Sequence, residues 1–425
     1  GRGLVRGILK KHTIRSGLVR LLPGITAAVL GAGLLSLAGR AVTAEDPPDL
    51  FVTSDTCLAC HNGLSTGDGT DVSIGTAWRA SMMANSVRDP YWQAGVRRET
   101  VEHPTAVAAI EHECSVCHLP MVHTEEIAAG GRGTLFRHLP VGTAAGRSAA
   151  LAADGVSCAA CHQIQDEGLG TEASFTGGYV IDVTRSGAPR KIFGPFPVDT
   201  GLAGVMRSAT GFDQTESVHV RRSELCATCH TLFTHALDEA GQVTGTLAEQ
   251  VPYLEWQHSD YQDSMSCQDC HMPALDVPAP ISSVLGAPRE PVSQHVFRGG
   301  NFLIPRILNS HRAELGTRAT PQDIARGVER TRAHLGSAAA KVRLMDLTAD
   351  ADGLEFRVAV ENLAGHKLPT AYPSRRAWLH LRVEDGGGAV LFESGAPEAT
   401  GAIRGNDNDE DPTRFEPHYT EIDDP

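Results

Sequence analysis

The stretch CATCHTLFTH, residues 226–235, sets two cysteines three apart, a histidine directly after the second, and another histidine five residues on. One C-x-x-C-H unit is ambiguous, since it suits half of a zinc site, a redox dithiol or a haem attachment site. The rest of the chain decides. CLACH ends at His61, CSVCH at His118, CAACH at His162, CATCH at His230 and CQDCH at His271, and these five units consume all ten cysteines. A disulfide framework has no need of a histidine after every second cysteine, and zinc sites accept varied residues there. Five copies with no cysteine left over read as covalent c-type haem attachment.

The spacing has a chemical reason. Thiols three residues apart on one helical turn face the same way. Cys57 with Cys60, Cys114 with Cys117, Cys158 with Cys161, Cys226 with Cys229 and Cys267 with Cys270 can each reach the two vinyl groups of one porphyrin. The next residue then projects toward the iron, which makes His61, His118, His162, His230 and His271 the expected proximal ligands of five haem c groups. Aromatic residues are only 5% of the chain, too few to fill a large core, and five flat apolar cofactors would supply the missing volume. With 44 Gly and 24 Pro, the reading is a mostly α and loop body organised around haems.

The sixth ligand decides what such an iron does. A second His or a Met closes it as a low-spin electron carrier, whereas an open iron binds substrate. Of 19 histidines, thirteen remain after the five proximal residues and His12 in the N-terminal segment are set aside, enough for bis-histidine ligation throughout. His123 and His235 each follow a proximal histidine by five residues, awkward for the same iron and suited to a neighbouring one. The alternatives are a surface position or a propionate contact. His138, His219 and His295 are further expected distal ligands, with His103, His112, His258 and His366 in reserve. Met82 and Met83 could serve the first haem or pack on a helix expected over about 75–98.

Residues 1–20 carry Arg2, Arg6, Lys10, Lys11, Arg15 and Arg20 and no acid. LLPGITAAVLGAGLLSLAG (21–39) is uncharged, and AVTA (41–44) closes the segment with small residues. This reads as a signal peptide, or as an uncleaved membrane anchor, over 1–44; either way the remainder is exported. Without residues 1–44 the formal charge falls from −14 to −21, because seven basic residues and no acids are lost. Such a surface disfavours nucleic acid and suits basic partners.

A haem domain is expected over 45–312, a connecting helix within 313–340 and a β-rich domain over 341–425. Residues 174–197 suggest a β-hairpin or extended loop around Gly187–Ala188–Pro189. In TPQDIARGVERTRAHLG (320–336), Thr320 caps a helix, Pro321 sits in its first turn, and Ile324, Val328 and Leu335 share a face. Leu354, Phe356, Val358 and Val360 alternate, and a Gly386–Gly388 turn separates two later strands; these are antiparallel strands of a sandwich expected to continue past Pro425. The acidic run GNDNDEDP (405–412) is a calcium loop or, as simply, a solvated one.

The segments DGVSCAACH (154–162), SELCATCH (223–230) and EWQHSDYQDSMSCQDCHMP (255–273) resemble haem-binding segments of multihaem c-type cytochromes. The likeness points to the broad group holding the tetrahaem cytochrome c of ammonia oxidisers, hydroxylamine oxidoreductase and pentahaem nitrite reductase, and spans roughly 50–310. GHKLPTAYPSRRAWLHLRVED (365–385) resembles a β-domain appended to some exported multihaem cytochromes. The departures matter: no motif here ends in Lys, as the catalytic motif of pentahaem nitrite reductases does, and five motifs are fewer than hydroxylamine oxidoreductase has. The resemblance implies electron transfer between a redox-protein or quinol-linked donor and an acceptor. The N-terminal segment allows membrane association, and homo-oligomers or filaments fit the same role. The alternative is a reductase or oxidase of a small nitrogen or sulfur compound at one five-coordinate haem, its pocket lined by residues such as Tyr91, Arg97, Arg98 and Tyr261.

Overall fold

The computed structural model describes residues 49–184, 188–238, 240–351 and 353–404. The targeting segment, Gly187 and the acidic run 405–412 lie outside the described residues. No helix among the described residues is long and apolar enough to cross a membrane.

The body is a series of short helices joined by ordered loops. It begins with α1 (Ser54–Leu58), α2 (Ile74–Arg79) and α3 (Pro90–Glu102). The single helix expected over 75–98 is therefore two. Asp89 causes the break: its carboxylate accepts from the backbone N–H of Tyr91 at 2.9 Å and Trp92 at 3.2 Å, and Pro90 takes the first turn. A residue before proline is driven out of the helical region, so Asp89 starts a new helix. Met83, in the intervening turns, packs against the buried cluster of Leu58, Trp78 and Ala84, as does Phe297.

Next come α4 (Val107–His118), α5 (Pro120–Ala128), α6 (Arg147–Ala153) and α7 (Cys158–Cys161). Leu119, between α4 and α5, is fully buried, as are Val87, Met121, Leu135 and Ala159, and these side chains form the main core. Two buried carboxylates tie distant segments to it. Glu125 accepts from the N–H of Leu50 at 2.9 Å and pairs with Arg147. Asp154 accepts from Ser54 N and Oγ, each at 2.7 Å, which fixes α1 to the approach to α7. Arg318 reaches both Asp154 and Asp55.

Strand β1 (Arg190–Gly194) pairs in parallel with β2 (Phe212–Glu216), across α8 (Thr200–Thr210). Residues 174–184 form no strand, so no hairpin forms with β1. Asp199 caps α8, and Gly211, at φ 78°, ends it in the left-handed conformation that glycine adopts without steric penalty. After α9 (Ser223–Ala227), β3 (Leu232–Leu237) and β4 (Val243–Gln250) form an antiparallel hairpin. Then follow α10 (Pro252–Trp256), α11 (Cys267–His271), a two-residue pairing of β5 (Ala279–Pro280) with β6 (Pro288–Arg289), and α12 (Leu303–Ser310).

Helix α13 (Pro321–His334) starts where the sequence puts it, with Thr320 Oγ1 accepting from Asp323 N at 3.2 Å. Its buried face is Ile324, Val328 and Thr331, and the first two pack against Ala80 and Ala319 of the body; Leu335 falls in a π-turn beyond the helix. The chain then forms two antiparallel hairpins, β7 (Ala340–Ala349) with β8 (Leu354–Asn362) and β9 (Leu381–Glu384) with β10 (Val390–Ser394). Among the described residues these remain separate two-stranded sheets rather than facing layers of a sandwich.

Candidate cofactor-attachment sites

Each C-x-x-C-H unit follows a short helical course, so both cysteines and the histidine leave one side of the chain. The second unit is the C-terminal end of α4, the third is α7 with His162 as its cap, and the fifth is α11. The α11 turn is reinforced by a reciprocal cap between Ser266 and Asp269.

The first and fourth units depart from a single regular helical turn. Helix α1 ends at Leu58 and α9 at Ala227, so Cys60 and Cys229 lie in the turns beyond, not on the helices that carry Cys57 and Cys226. The reason is a tightening of the last turn. Cys60 N donates to Cys57 O at 3.1 Å and Cys229 N to Cys226 O at 3.3 Å, three residues back rather than four. His61 N and His230 N return to the same two carbonyls at 3.0 Å each, so the course of the unit is kept. The Cys60 carbonyl also accepts from Ser283 N at 2.8 Å and Ser283 Oγ at 3.0 Å, which anchors this turn to the segment after β5. Cys60 itself is half-buried.

Four of the five histidines are oriented by a backbone carbonyl. His61 Nδ1 lies 2.6 Å from Ile281 O, His118 Nδ1 3.0 Å from Ser86 O, His162 Nδ1 2.6 Å from Phe193 O, and His271 Nδ1 2.5 Å from Arg298 O. A carbonyl only accepts, so each Nδ1 carries the proton and each Nε2 presents its lone pair. Metal-bound histidines are commonly oriented by this kind of outer contact. Burial pushes the His118 and His230 imidazoles down to about 4 and lowers His162 and His271, so these rings are neutral at neutral pH.

All ten cysteines are partly accessible, none fully buried. Yet burial in surrounding protein pushes the Cys114 and Cys161 thiols up to about 12. His230 combines open surface with the same desolvation. Paired thiols and oriented imidazoles that are enclosed by protein yet partly accessible fit a covalently held haem.

The units contact one another. The Cys57 and Cys158 thiols are within hydrogen-bonding reach, as are Cys117 with Cys229 and Cys226 with Cys267. Cys161 lies close enough to Cys229 to feel its charge. The first unit thus meets the third, and the fourth meets both the second and the fifth, while the third lies near the fourth without touching it through these thiols. In the first unit it is Cys57, not Cys60, that makes this junction. Tyr179 stands near Cys117, Cys161 and Cys229, with its hydroxyl donating to Val116 O at 2.9 Å.

Two of the sequence-proposed distal histidines face a C-x-x-C-H ring. The His295 ring centre is 6.4 Å from that of His162, with planes 24° apart, and His366 is 6.3 Å from His271 at 15°. With a metal–imidazole bond of about 2.0 Å and a ring centre ~1.1 Å beyond the nitrogen, the centres of two imidazoles held across one metal would be ~6.2 Å apart. A third ring, His334 at the end of α13, lies 6.4 Å from His271 at 65°. Sequence reasoning missed it, having treated α13 as a connector; its position beside the buried stripe Ile324–Val328–Thr331 was the available signal.

Among the described residues, the other proposed distal histidines make no ring contact with a C-x-x-C-H histidine. His123 is buried against His112, ring centres 4.8 Å apart, and bonds Ser115 Oγ at 2.8 Å. His138 is buried 3.2 Å from the Glu126 carboxylate. His219 has both nitrogens engaged, by Ser217 Oγ at 2.6 Å and Ile164 O at 2.8 Å, and lies near enough to His162 to act on it electrostatically. His235 is exposed on β3 and His258 is exposed after α10. His103 ends α3 beside Glu99, 3.9 Å away. Of the pocket residues proposed for catalysis, Arg97 covers the Phe136 ring, Arg98 pairs with Glu102 and Tyr261 lies beside Gly365. Tyr91 meets Tyr372 edge-on at 6.2 Å. Trp92 stacks directly on His118, ring centres 3.9 Å apart and 6° from parallel. His230 has neither a ring partner nor a bonded ring nitrogen among the described residues; Arg375 acts on it electrostatically and packs against Gly300.

No family model matches the chain, and no curated protein matches it. Among solved structures, it is similar to the crystal structure of a penta-heme cytochrome c552 from Thermochromatium tepidum. The identity is 18% and the TM-score 0.50, over 82% of this chain and 75% of that one. The chain has the fold of a multihaem cytochrome.

Proposed function

We propose that this protein is an exported pentahaem c-type cytochrome that carries electrons between redox partners. The observation that carries this reading is the close clustering of the five attachment units: the first meets the third, the fourth meets the second and the fifth, and the third lies within electrostatic reach of the fourth. Bound haem supplies a one-electron change at iron, and the protein supplies spacing, ligands and exclusion of water. Ile281, Ser86, Phe193 and Arg298 hold four imidazoles with Nε2 free, and His295 and His366 face two of them. Bis-histidine ligation lacks the potential-raising Met, which favours low-potential partners. The formal charge of −14 favours a basic docking face on the donor or acceptor and disfavours nucleic acid. Export rests on the basic and apolar segment 1–44.

One observation favours a second reading, reduction or oxidation of a small nitrogen or sulfur compound. His230, like His61 and His118, lacks a facing imidazole among the described residues, and Arg375 places a cation near the His230 ring. Electron paramagnetic resonance of the oxidised holo protein, quantified per haem with and without nitrite or hydroxylamine, separates the two. Electron carriage requires signals unmoved by either compound. A high-spin signal that shifts on addition would make the fourth unit an active site.

A further inference from the structure

The fifth unit is faced by two histidines rather than one. Resting on the haem reading above, we propose that His334 and His366 are interchangeable distal ligands of the iron held by His271. Their ring centres lie 6.4 and 6.3 Å from that of His271, close to the separation of two imidazoles across one metal, a position that only one of them can occupy at a time. They arrive from unrelated parts of the chain. His334 ends α13, which Thr320 caps and Ile324 and Val328 anchor in the body. His366 follows β8, in a loop pinned by Glu255, which accepts from Lys367 N at 2.9 Å and from Thr370 Oγ1. The His366 Nδ1 lies 3.0 Å from Lys367 O, so its Nε2 is the nitrogen left to bind. No carboxylate bonds either ring among the described residues; the charged or titratable groups near His334 are Arg298, His271 and His366. A cavity of about 280 Å³ opens beside His334, between Arg298 and Arg330, and gives the ring room to move. An iron accepts one distal ligand at a time, so the second histidine is a spare.

The two pairings differ in plane angle, 15° for His366 and 65° for His334. Near-parallel axial imidazoles give a rhombic low-spin resonance, and strongly crossed ones give a single signal at large g. The test is paramagnetic resonance on the holo protein and on His334→Ala, His366→Ala and the double variant, with haem content measured in each. The expected result is a low-spin fifth haem in both single variants, rhombic without His334 and large-g without His366. The double variant then gains one high-spin haem per chain. If either single variant already turns one haem high-spin, or the double variant stays low-spin, the proposal is overturned. Should an alanine variant fail to accumulate, His334→Phe and His366→Phe keep the ring volume and are read in the same way. Five haems per chain with the wrong variant pattern sinks this inference alone, whereas a chain without covalent haem sinks the reading beneath it as well.

Discussion

The body and the C-terminal hairpins solve the burial problem differently. Between Leu50 and Val328 a set of side chains is removed from solvent completely, Val87, Leu119, Met121 and Leu135 among them. Along β7 nearly every residue is exposed; Leu344 keeps 60% of its surface, Leu391 on β10 68% and Phe392 52%. An isolated two-stranded hairpin is marginal in water. What the C-terminal region gives the rest of the molecule comes from its loop instead. Residues 363–375 place His366 by His271, Tyr372 against Tyr91, Gly365 beside Trp256 and Arg375 beside Gly300. The strands act as a frame that holds this loop on the attachment units.

The contrast can be broken by measurement. Leu119→Ala, in the fully buried junction of α4 and α5, is expected to cost about 2–5 kcal/mol, read as a drop in the denaturation midpoint. Glu255→Ala removes the acceptor that holds the 363–375 loop. The expected loss is about 1–3 kcal/mol, with faster amide exchange confined to that loop. If exchange rises equally in the body, the loop and the body are not separable. A smaller effect concerns Glu126. Burial works to raise its carboxyl, but bonds from His138 and Thr134 outweigh this and hold it below the usual range. A depressed carboxyl contributes stability above the unfolded value of about 4.3 and loses it as pH falls through the folded value. The melting temperature should therefore fall more steeply below about pH 4.3 in the natural protein than in Glu126→Gln. The smallest effect is expected from Phe392→Ser, within about 0.5 kcal/mol; a larger loss would mean that the exposed face is covered in solution.

What the sequence revealed follows the range of the interactions involved. The C-x-x-C-H units are local, three and four residues wide, and all five follow the tight helical course their spacing requires, even where Cys60 and Cys229 fall past the end of a helix. The cap at Thr320 and the turn at Gly386–Gly388 are local too, and both were legible. The split of the 75–98 helix was also written locally, in Asp89–Pro90, but the apolar pattern on either side masked it. The parallel pairing of β1 with β2 and the approach of His334 to His271 join segments far apart in the chain, and no periodicity announces them. The same holds for His219, a plausible ligand by spacing, whose nitrogens are engaged by Ser217 and by the distant Ile164 carbonyl. Histidine supply can be counted from sequence, whereas histidine placement is a property of the fold.

The central claim is that five clustered attachment units carry electrons onward rather than spend them on a substrate. It is tested most directly by reducing the holo protein anaerobically, counting the electrons taken up, and mixing it with an oxidised redox protein or with nitrite or hydroxylamine. The account expects five electrons per chain, one for each C-x-x-C-H unit, rapid reoxidation by the redox protein and none by the small compounds. Fewer than five electrons, or rapid turnover of nitrite or hydroxylamine, would contradict it.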